Sequence, residues 1–274
     1  MIRIVTDGTA CLSYSLATQM GVRVVPVTYS VAGRLYHESY LDNSGEAERL
    51  IAENPGKCLT SHPPVTVFAD VFRNLTKDGD EVLCLVISSR LSGTFSSATI
   101  ASRDIESVRV AVVDSLTTAG GLTLLLKYAR ALIDRGLTLD EVVRGVEAKR
   151  GAIGITFSVN DMSSLRKSGR LGDVRQSIGN VLNVRPILTL AEGAIMAQGV
   201  SRGDTQTVKA LLDHVPAGAK DIVVHHLGYK YDPAAVMHLL RERFPDAQVT
   251  AWPLGSTLRI HLGAGFIVIA WMTE

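Results

Sequence analysis

The sequence predicts an α/β protein with two domains, the first built on a parallel sheet and the second on a mixed α/β sheet. Three observations support this fold class. Apolar strand patterns alternate with segments of helical periodicity along the chain. The apolar run 82–87 has no polar break, as in a central parallel strand that is covered on both faces. The length of 274 residues is large for one hydrophobic core and suits two.

The alternation continues from one end of the chain to the other. Strands are predicted at 2–5, 22–29, 82–87, 108–113, 153–157, 186–190, 194–197, 220–225, 247–252 and 265–271. Helices are predicted at 12–20, 45–53, 65–77, 93–103, 118–134, 138–149, 160–168, 174–182, 204–213 and 232–243. Glu192-Gly193 indicates a hairpin in the second half.

A domain boundary is predicted near residue 153, which gives a first domain at 1–153 and a second at 154–274. A long helix pair ends at that point and a basic region follows it. No low-complexity tract or Pro/Gly/Ser-rich linker separates the halves. We therefore expect the two domains to pack closely, with a ligand cleft between them.

Composition excludes several classes of function. A formal net charge of +1 and 5% aromatic residues disfavour binding of nucleic acid. The three cysteines, Cys11, Cys58 and Cys84, are scattered and lack zinc-site spacing, so we expect free thiols, a cytoplasmic location and no metal. The chain opens directly on a predicted strand rather than a signal peptide. Its longest apolar run, 263–272, is too short to span a bilayer.

Two hydroxyl-rich segments are candidates for an anion site. The predicted strand 82–87 runs into five hydroxyl side chains at the start of a predicted helix, where backbone N–H groups and the helix dipole favour an anion. These residues are Ser88, Ser89, Ser92, Thr94 and Ser96. Thr60 and Ser61 similarly precede the helical pattern that begins after Pro64. We expect the two segments to converge at the carboxyl ends of adjacent strands. A well-capped helix with no ligand is the alternative interpretation.

The two hydroxyl-rich segments and several other short motifs of this sequence resemble those of the DegV family. That family includes the fatty-acid-binding subunit of bacterial fatty acid kinase. The resemblance runs from end to end of the chain. The matching segments are Thr6-Asp7-Gly8, Val24-Val25-Pro26-Val27, Thr60-Ser61-His62-Pro63, Ser88-Ser89-Arg90-Leu91-Ser92-Gly93-Thr94, Val113-Asp114-Ser115, Leu165-Arg166-Lys167-Ser168-Gly169-Arg170-Leu171, Leu182-Asn183-Val184-Arg185-Pro186-Ile187-Leu188 and His261-Leu262-Gly263-Ala264-Gly265. The sequence departs from the family pattern at Gly8, His62, Pro64 and Ala264, among others.

The resemblance implies a two-domain fold with a ligand tunnel between the domains. It implies a carrier that holds a long-chain fatty acid and presents its carboxylate to a separate ATP-binding kinase subunit. The acyl phosphate would serve phospholipid synthesis, with an acyltransferase downstream and transient contact with a membrane. Such a carrier is not itself an enzyme and needs no cofactor. The implied carboxylate ligands are Thr60, Ser61, Ser89, Ser92, Gly93, Arg170 and His261.

Two of these residues also stand out on their own chemistry. Arg170 belongs to a basic segment, 166–185, that holds five cations against the single acid Asp173. A guanidinium at a cleft suits a planar oxyanion, although a solvated helix end is an equal alternative. His261 precedes Gly263 in a predicted turn between two apolar strands, where a lone histidine is more often structural than catalytic.

A rival motif and two missing motifs complete the prediction. Gly199-Val200-Ser201-Arg202-Gly203 matches the nucleophile elbow of serine hydrolases, with Asp221 and His261 following in the required order. An esterase using Ser201 is therefore kept as an alternative, as is a lipid storage or sensing protein without a kinase. Neither a P-loop nor a dinucleotide-binding glycine motif is present, so the sequence offers no recognisable site for ATP or NAD.

Overall fold

A computed structural model describes residues 1–41, 44–103, 105, 109–171, 184–228 and 232–274. The strands are β1 Ile2–Asp7, β2 Val22–Val25, β3 Val27–Val31, β4 Arg34–Glu38, β5 Cys58–Ser61, β6 Glu81–Val86, β7 Val110–Asp114, β8 Ile153–Val159, β9 Arg185–Ala191, β10 Ala194–Ser201, β11 Ala219–Leu227, β12 Gln248–Ala251 and β13 Phe266–Thr273. The helices are α1 Tyr14–Gln19, α2 Glu46–Glu53, α3 Val65–Thr76, α4 Thr94–Ser102, α5 Ala119–Asp134, α6 Leu139–Lys149, α7 Ser163–Ser168, α8 Asp204–His214, α9 Pro233–Arg243 and α10 Ser256–Leu262. Short 3-10 turns lie at Gly8–Ala10 and Arg150–Ala152.

The first half contains the predicted parallel sheet, with strand order β2-β1-β6-β7. Its central strand β6 is buried from Val82 onward, because an apolar cluster covers each face. Leu83 and Leu85 pack into a cluster with α5 and α6, and Val82 and Cys84 pack into another with α3 and α4. The unbroken apolar run of β6 is therefore explained by burial on both faces.

The predicted strand 22–29 is in fact two strands in two different sheets. Pro26 lies between β2 and β3, and proline has no N–H to donate to a sheet. β3 then forms the centre of a small antiparallel sheet of order β4-β3-β5. The sequence patterns missed β4 and β5. Thr60 and Ser61, predicted as helix-capping residues, lie in β5, and α3 begins only after Pro64.

The second half is built on a six-stranded mixed sheet of order β10-β9-β8-β13-β11-β12. All neighbouring pairs are antiparallel except β11 and β12. β9 and β10 form the predicted hairpin, and Glu192 and Gly193 both adopt positive φ in its turn. Because the four-stranded and six-stranded sheets use separate parts of the chain, we propose the domain division 1–153 and 154–274.

One further prediction concerns the end of the second half. Residues 256–262 form helix α10 rather than an extended segment before a turn. His261 therefore belongs to a helix, and Gly263 with φ of 86° ends that helix.

The predicted helix 174–182 lies outside the described residues. No helix in the described part of the chain is long and apolar enough to cross a membrane.

Candidate functional site

A cavity of about 370 Å³ lies where the sheets of the two halves approach one another. Such a volume is within the range of pockets that bind small ligands. Most of its lining is apolar, and the face supplied by the mixed sheet and α10 is here named the apolar wall. The apolar wall consists of Ile155, Phe157, Leu190, Ile195, Leu258 and Val268.

Six of the seven predicted site residues line the same cavity. They form the polar cluster, which consists of Thr60, Ser61, Ser92, Gly93, Arg170 and His261. The cluster reaches solvent, because the Ser61 side chain is exposed, whereas Ile155 and Phe157 of the apolar wall are buried. The cavity therefore joins a polar opening to an apolar interior.

Thr60 and His261 bring the two halves of the chain together within the polar cluster. Thr60 Oγ1 on β5 and His261 Nε2 on α10 lie 2.9 Å apart and share a hydrogen bond. Burial lowers the pKa of His261 to about 4, and the nearby positive charge of Arg170 acts in the same direction. The imidazole is therefore neutral at pH 7, and it can exchange a hydrogen bond without adding charge.

The loop that follows β6 presents Ser92 and Gly93 to the cavity. Ser88 is buried beneath this loop and donates its hydroxyl to the Gly193 carbonyl at 2.8 Å. Ser92 Oγ shares a hydrogen bond with Thr94 Oγ1 at 2.8 Å and accepts one from the Thr94 N–H at 3.3 Å, in the first turn of α4. Gly93, rather than the predicted Ser92 or Thr94, is the capping residue of α4. It lies against His62, where an added Cβ would come within 2.9 Å of the ring.

Arg170 follows α7 directly and supplies a cation to the cavity. Its Nε donates to the Leu91 carbonyl at 3.3 Å, and its Nη1 donates to the Ser168 carbonyl. These carbonyls orient the guanidinium without neutralising it. Among the described residues, no carboxylate forms an ion pair with Arg170. The polar cluster is therefore positively charged and suits an anion.

Ser89 is the predicted site residue that does not line the cavity. Its side chain is exposed, and its backbone N–H donates to Asp114 Oδ1 at 3.2 Å. The chain turns between β6 and α4, so that Ser88 points inward, Ser89 points outward and Ser92 returns to the cavity. Hydroxyls that are adjacent in sequence therefore do not share one site.

Among the described residues of the predicted basic segment, Arg170 lines the cavity and Arg166, Lys167 and Arg185 do not. Arg185 forms an ion pair with Asp204 at 2.7 Å, and Lys167 is exposed on α7. Arg175 and Asp173 lie outside the described residues. His225 is buried with its Nδ1 2.9 Å from the Trp252 carbonyl oxygen. In the described ranges no three potential ligand side chains are arranged to hold a metal ion.

Sequence reasoning missed a buried carboxylate beneath the cavity. Asp7 accepts hydrogen bonds from the Thr9 N–H at 2.9 Å, the Thr9 hydroxyl at 2.6 Å and the Ile87 N–H at 2.8 Å. Thr9 and Ile87 both line the cavity, so Asp7 joins two parts of its wall. Burial raises the pKa of this carboxyl group. The Thr6-Asp7 motif was recognisable in the sequence, but its contacts depend on strand order.

Ser201 lies in a different setting from the one that a nucleophile elbow requires. It ends β10, an antiparallel strand at the edge of the mixed sheet, and its hydroxyl lies 2.6 Å from Thr207 Oγ1. The candidate base His261 is hydrogen-bonded to Thr60 instead. Asp221 pairs with Gln248 and Met272 within the sheet. Among the described residues, Ser201 therefore has no histidine partner of the kind that a nucleophile elbow requires.

Comparison with known proteins identifies the family. The model described as "Uncharacterised protein, DegV family" matches residues 1–274. The chain belongs to the DegV family. A DegV domain-containing protein from Deinococcus radiodurans is 30% identical over 276 residues, which cover 98% of this chain and 97% of the relative.

Solved structures of DegV proteins share the whole fold. One solved structure is of a DegV family protein from Thermus thermophilus that is described as binding fatty acid. Its sequence is 30% identical to this chain, and the two structures superpose with a TM-score of 0.89. The two chains are covered to 100% and 99%. A DegV lipid-binding protein from Thermotoga maritima is 26% identical with a TM-score of 0.87, and 99% of this chain and 98% of that one are covered. The two-domain α/β fold predicted from the sequence is therefore that of the DegV proteins.

Proposed function

We propose that this protein binds one long-chain fatty acid in the cavity, with the carboxylate at the polar cluster and the acyl chain against the apolar wall. The observation that carries the proposal is the composition of the cavity, in which hydroxyl groups and a guanidinium with no carboxylate partner among the described residues adjoin an apolar interior. Solved relatives of 30% and 26% identity that are described as fatty-acid-binding and lipid-binding support it.

The energetics of such a ligand match the two parts of the cavity. Each buried methylene contributes about 0.8 kcal/mol before the costs of association, so the acyl chain can supply most of the affinity. The carboxylate requires charge compensation and hydrogen bonds, because a buried anion without them is strongly destabilised. Arg170 supplies the charge, while Thr60, Ser61 and Ser92 supply hydroxyl groups, the backbone of Gly93 lies beside them, and neutral His261 completes the cluster. Ser89 is not part of this proposed site.

We further propose that the protein presents the bound carboxylate to a separate kinase subunit. In that reaction a carboxylate oxygen attacks the γ-phosphorus of ATP, the bond to the bridging oxygen breaks, and ADP leaves with acyl phosphate as the product. Because the sequence lacks a P-loop, the nucleotide belongs to the partner. In this role the protein carries no catalytic group of its own and works in the cytoplasm. Its product passes to an acyltransferase of phospholipid synthesis during transient contact with a membrane.

Calorimetric titration of delipidated protein with palmitate tests the binding proposal. We expect one fatty acid per chain and submicromolar affinity. Adding a cognate kinase subunit and ATP should then convert the bound acid into acyl phosphate, which hydroxylamine traps as a hydroxamate. Binding without conversion would contradict the kinase role and favour storage or sensing. Absence of binding would contradict both.

A further inference from the structure

Helix α10 belongs to the second half of the chain and contributes His261 to the polar cluster. Both ends of this helix are hydrogen-bonded to the small antiparallel sheet of the first half. Thr60 on β5 is hydrogen-bonded to His261 near the end of the helix. At its beginning, Glu38 of β4 accepts a hydrogen bond from the Thr257 N–H at 3.2 Å. Both anchoring residues are paired with β3, Glu38 opposite Val27 and Thr60 opposite Tyr29. The register of one sheet therefore sets the spacing between the two anchors.

The contact of Glu38 with α10 is built into the fold. Glu38 is only 7% exposed. The residue that caps α10 is Gly255, which has no side chain to accept hydrogen bonds from the first turn. A Cβ at that position would lie 2.5 Å from Glu38 Oε1, so Gly255 leaves the space that the carboxyl group occupies. Glu38 thus satisfies a backbone N–H that the helix cannot satisfy itself.

The geometry of α10 transmits this anchor to the cavity. Thr257 and His261 are four residues apart and lie on the same face of the helix, and both line the cavity. Arg259 faces away from it, is 5% exposed and forms an ion pair with Glu48 of α2. A displacement at the first turn of so short a helix moves His261 relative to Thr60.

We propose that Glu38 is a positioning residue for the polar cluster, holding α10 so that His261 meets Thr60. Neither the sequence motifs nor the cavity lining point to Glu38, because it contacts the backbone behind the cavity. The inference concerns the ligand-free protein, and only its binding consequence depends on the proposed function.

The pKa of His261 reports the position of its ring. Its pKa is lowered to about 4 by burial and by Arg170. Loss of a negative charge at Glu38 would lower a histidine pKa further, so a rise in the pKa of His261 on replacing Glu38 would come from movement of the ring into water. The other charged or titratable groups around Glu38 are Arg259, Glu48, His37, the Cys11 thiol and the tyrosines of the adjoining small pocket.

The test is an NMR titration of the His261 ring in the full-length, ligand-free protein. Glu38→Ala should raise the pKa of His261 by about one unit or more, because a displaced ring regains water. Glu38→Gln keeps an oxygen that can accept from the Thr257 N–H and should restore the wild-type value. Glu53→Ala, which removes an exposed glutamate from α2, is the matched control and should change nothing. An unchanged pKa of His261 in Glu38→Ala would overturn the proposal.

A second variant and a second measurement cover the remaining outcomes. Glu38→Asp shortens the side chain by one methylene, so it should raise the pKa of His261 even if the alanine variant does not fold. In ligand titrations, Glu38→Ala should lower the affinity for palmitate about tenfold. The affinity for hexadecanol should fall much less, because only Leu258 of the apolar wall lies on α10. Equal losses for both ligands would indicate a merely structural role and contradict the proposal. If wild-type protein binds neither ligand, the proposed function fails while the NMR titration still decides the role of Glu38.

Discussion

The polar cluster and the apolar wall line one cavity but are assembled in different ways. The six residues of the cluster come from four segments, which are β5, the loop before α4, the residues just after α7, and α10. The apolar wall comes chiefly from neighbouring strands of one sheet, β10, β9, β8 and β13, and only Leu258 of the wall lies on α10. The cluster therefore depends on how separate elements are held together, and the wall depends mainly on a single sheet.

This difference implies that the wall binds the acyl chain and the cluster binds the carboxylate, which substitutions can test separately. Changes in the apolar wall should affect every ligand with an acyl chain, whatever its head group. Changes in the polar cluster should affect ligands that carry a carboxylate and spare the corresponding alcohols.

The largest effect is expected from a charge in the apolar wall. Leu190→Glu places a carboxylate against the acyl chain, where it lacks hydrogen-bonding partners. Affinity should fall about a hundredfold or more for palmitate and hexadecanol alike in calorimetric titrations. Met196→Glu is the matched control, because Met196 lies on the same hairpin and is 46% exposed. If Leu190→Glu lost affinity for palmitate but kept its affinity for hexadecanol, Leu190 would not act through the acyl chain, which would contradict its place in the apolar wall.

The next largest effect is expected from removing two hydroxyl groups of the polar cluster. The double variant Thr60→Ala and Ser92→Ala should bind palmitate about tenfold to a hundredfold more weakly, since hydrogen bonds to a charged group are lost. Hexadecanol should be affected far less, and the melting temperature should change little. Ser96→Ala, on the exposed side of α4, serves as the control. Unchanged palmitate affinity would remove these hydroxyls from the proposed carboxylate site.

Replacing Arg170 is expected to have a smaller effect on affinity and also to shift the pKa of His261, which NMR can measure. Its charge contributes to lowering the pKa of His261, so Arg170→Gln should raise that pKa from about 4 toward the ordinary value. The affinity for palmitate should fall about tenfold, because the guanidinium is partly exposed and screened. The buried His225, whose pKa burial also lowers to about 4, is an internal control, since Arg170 is not among its causes. Equal shifts at both histidines would indicate a general loosening instead.

No effect on lipid binding is expected from Ser201→Ala. Ser201 lies at the edge of the mixed sheet with its hydroxyl on Thr207, and it does not line the cavity. A fluorophosphonate probe, which labels activated serines, should leave the wild-type protein unmodified. Labelling that disappears in Ser201→Ala would revive the esterase interpretation that the geometry disfavours.

The same contrast explains how much of the molecule could be predicted from its sequence. The parallel sheet followed from the apolar run of β6, and the hairpin followed from Glu192 and Gly193. Six residues of the cavity followed from the family motifs, although Thr60 was expected at a helix start and His261 in a turn. Ser89 lies outside the lining of the cavity, and sequence proximity does not reveal which hydroxyls face inward.

What could not be predicted depends on contacts between distant segments. The apolar wall requires the strand order β10-β9-β8-β13, which no local periodicity encodes. Glu38 lies in a short strand of mixed polarity, and its partner Thr257 is 219 residues away along the chain. A charged residue in such a strand is typical of a solvated edge, so nothing in the local pattern indicates a buried anchor.

Mass spectrometry of an organic extract of the purified protein, made under denaturing conditions, shows whether the cavity holds a fatty acid. We expect one fatty acid of about 14 to 18 carbons per chain, because the acyl chain supplies most of the binding free energy and should survive purification. The distribution of chain lengths would also show what the apolar wall selects. An empty protein that also fails to take up added palmitate or oleate would contradict the account.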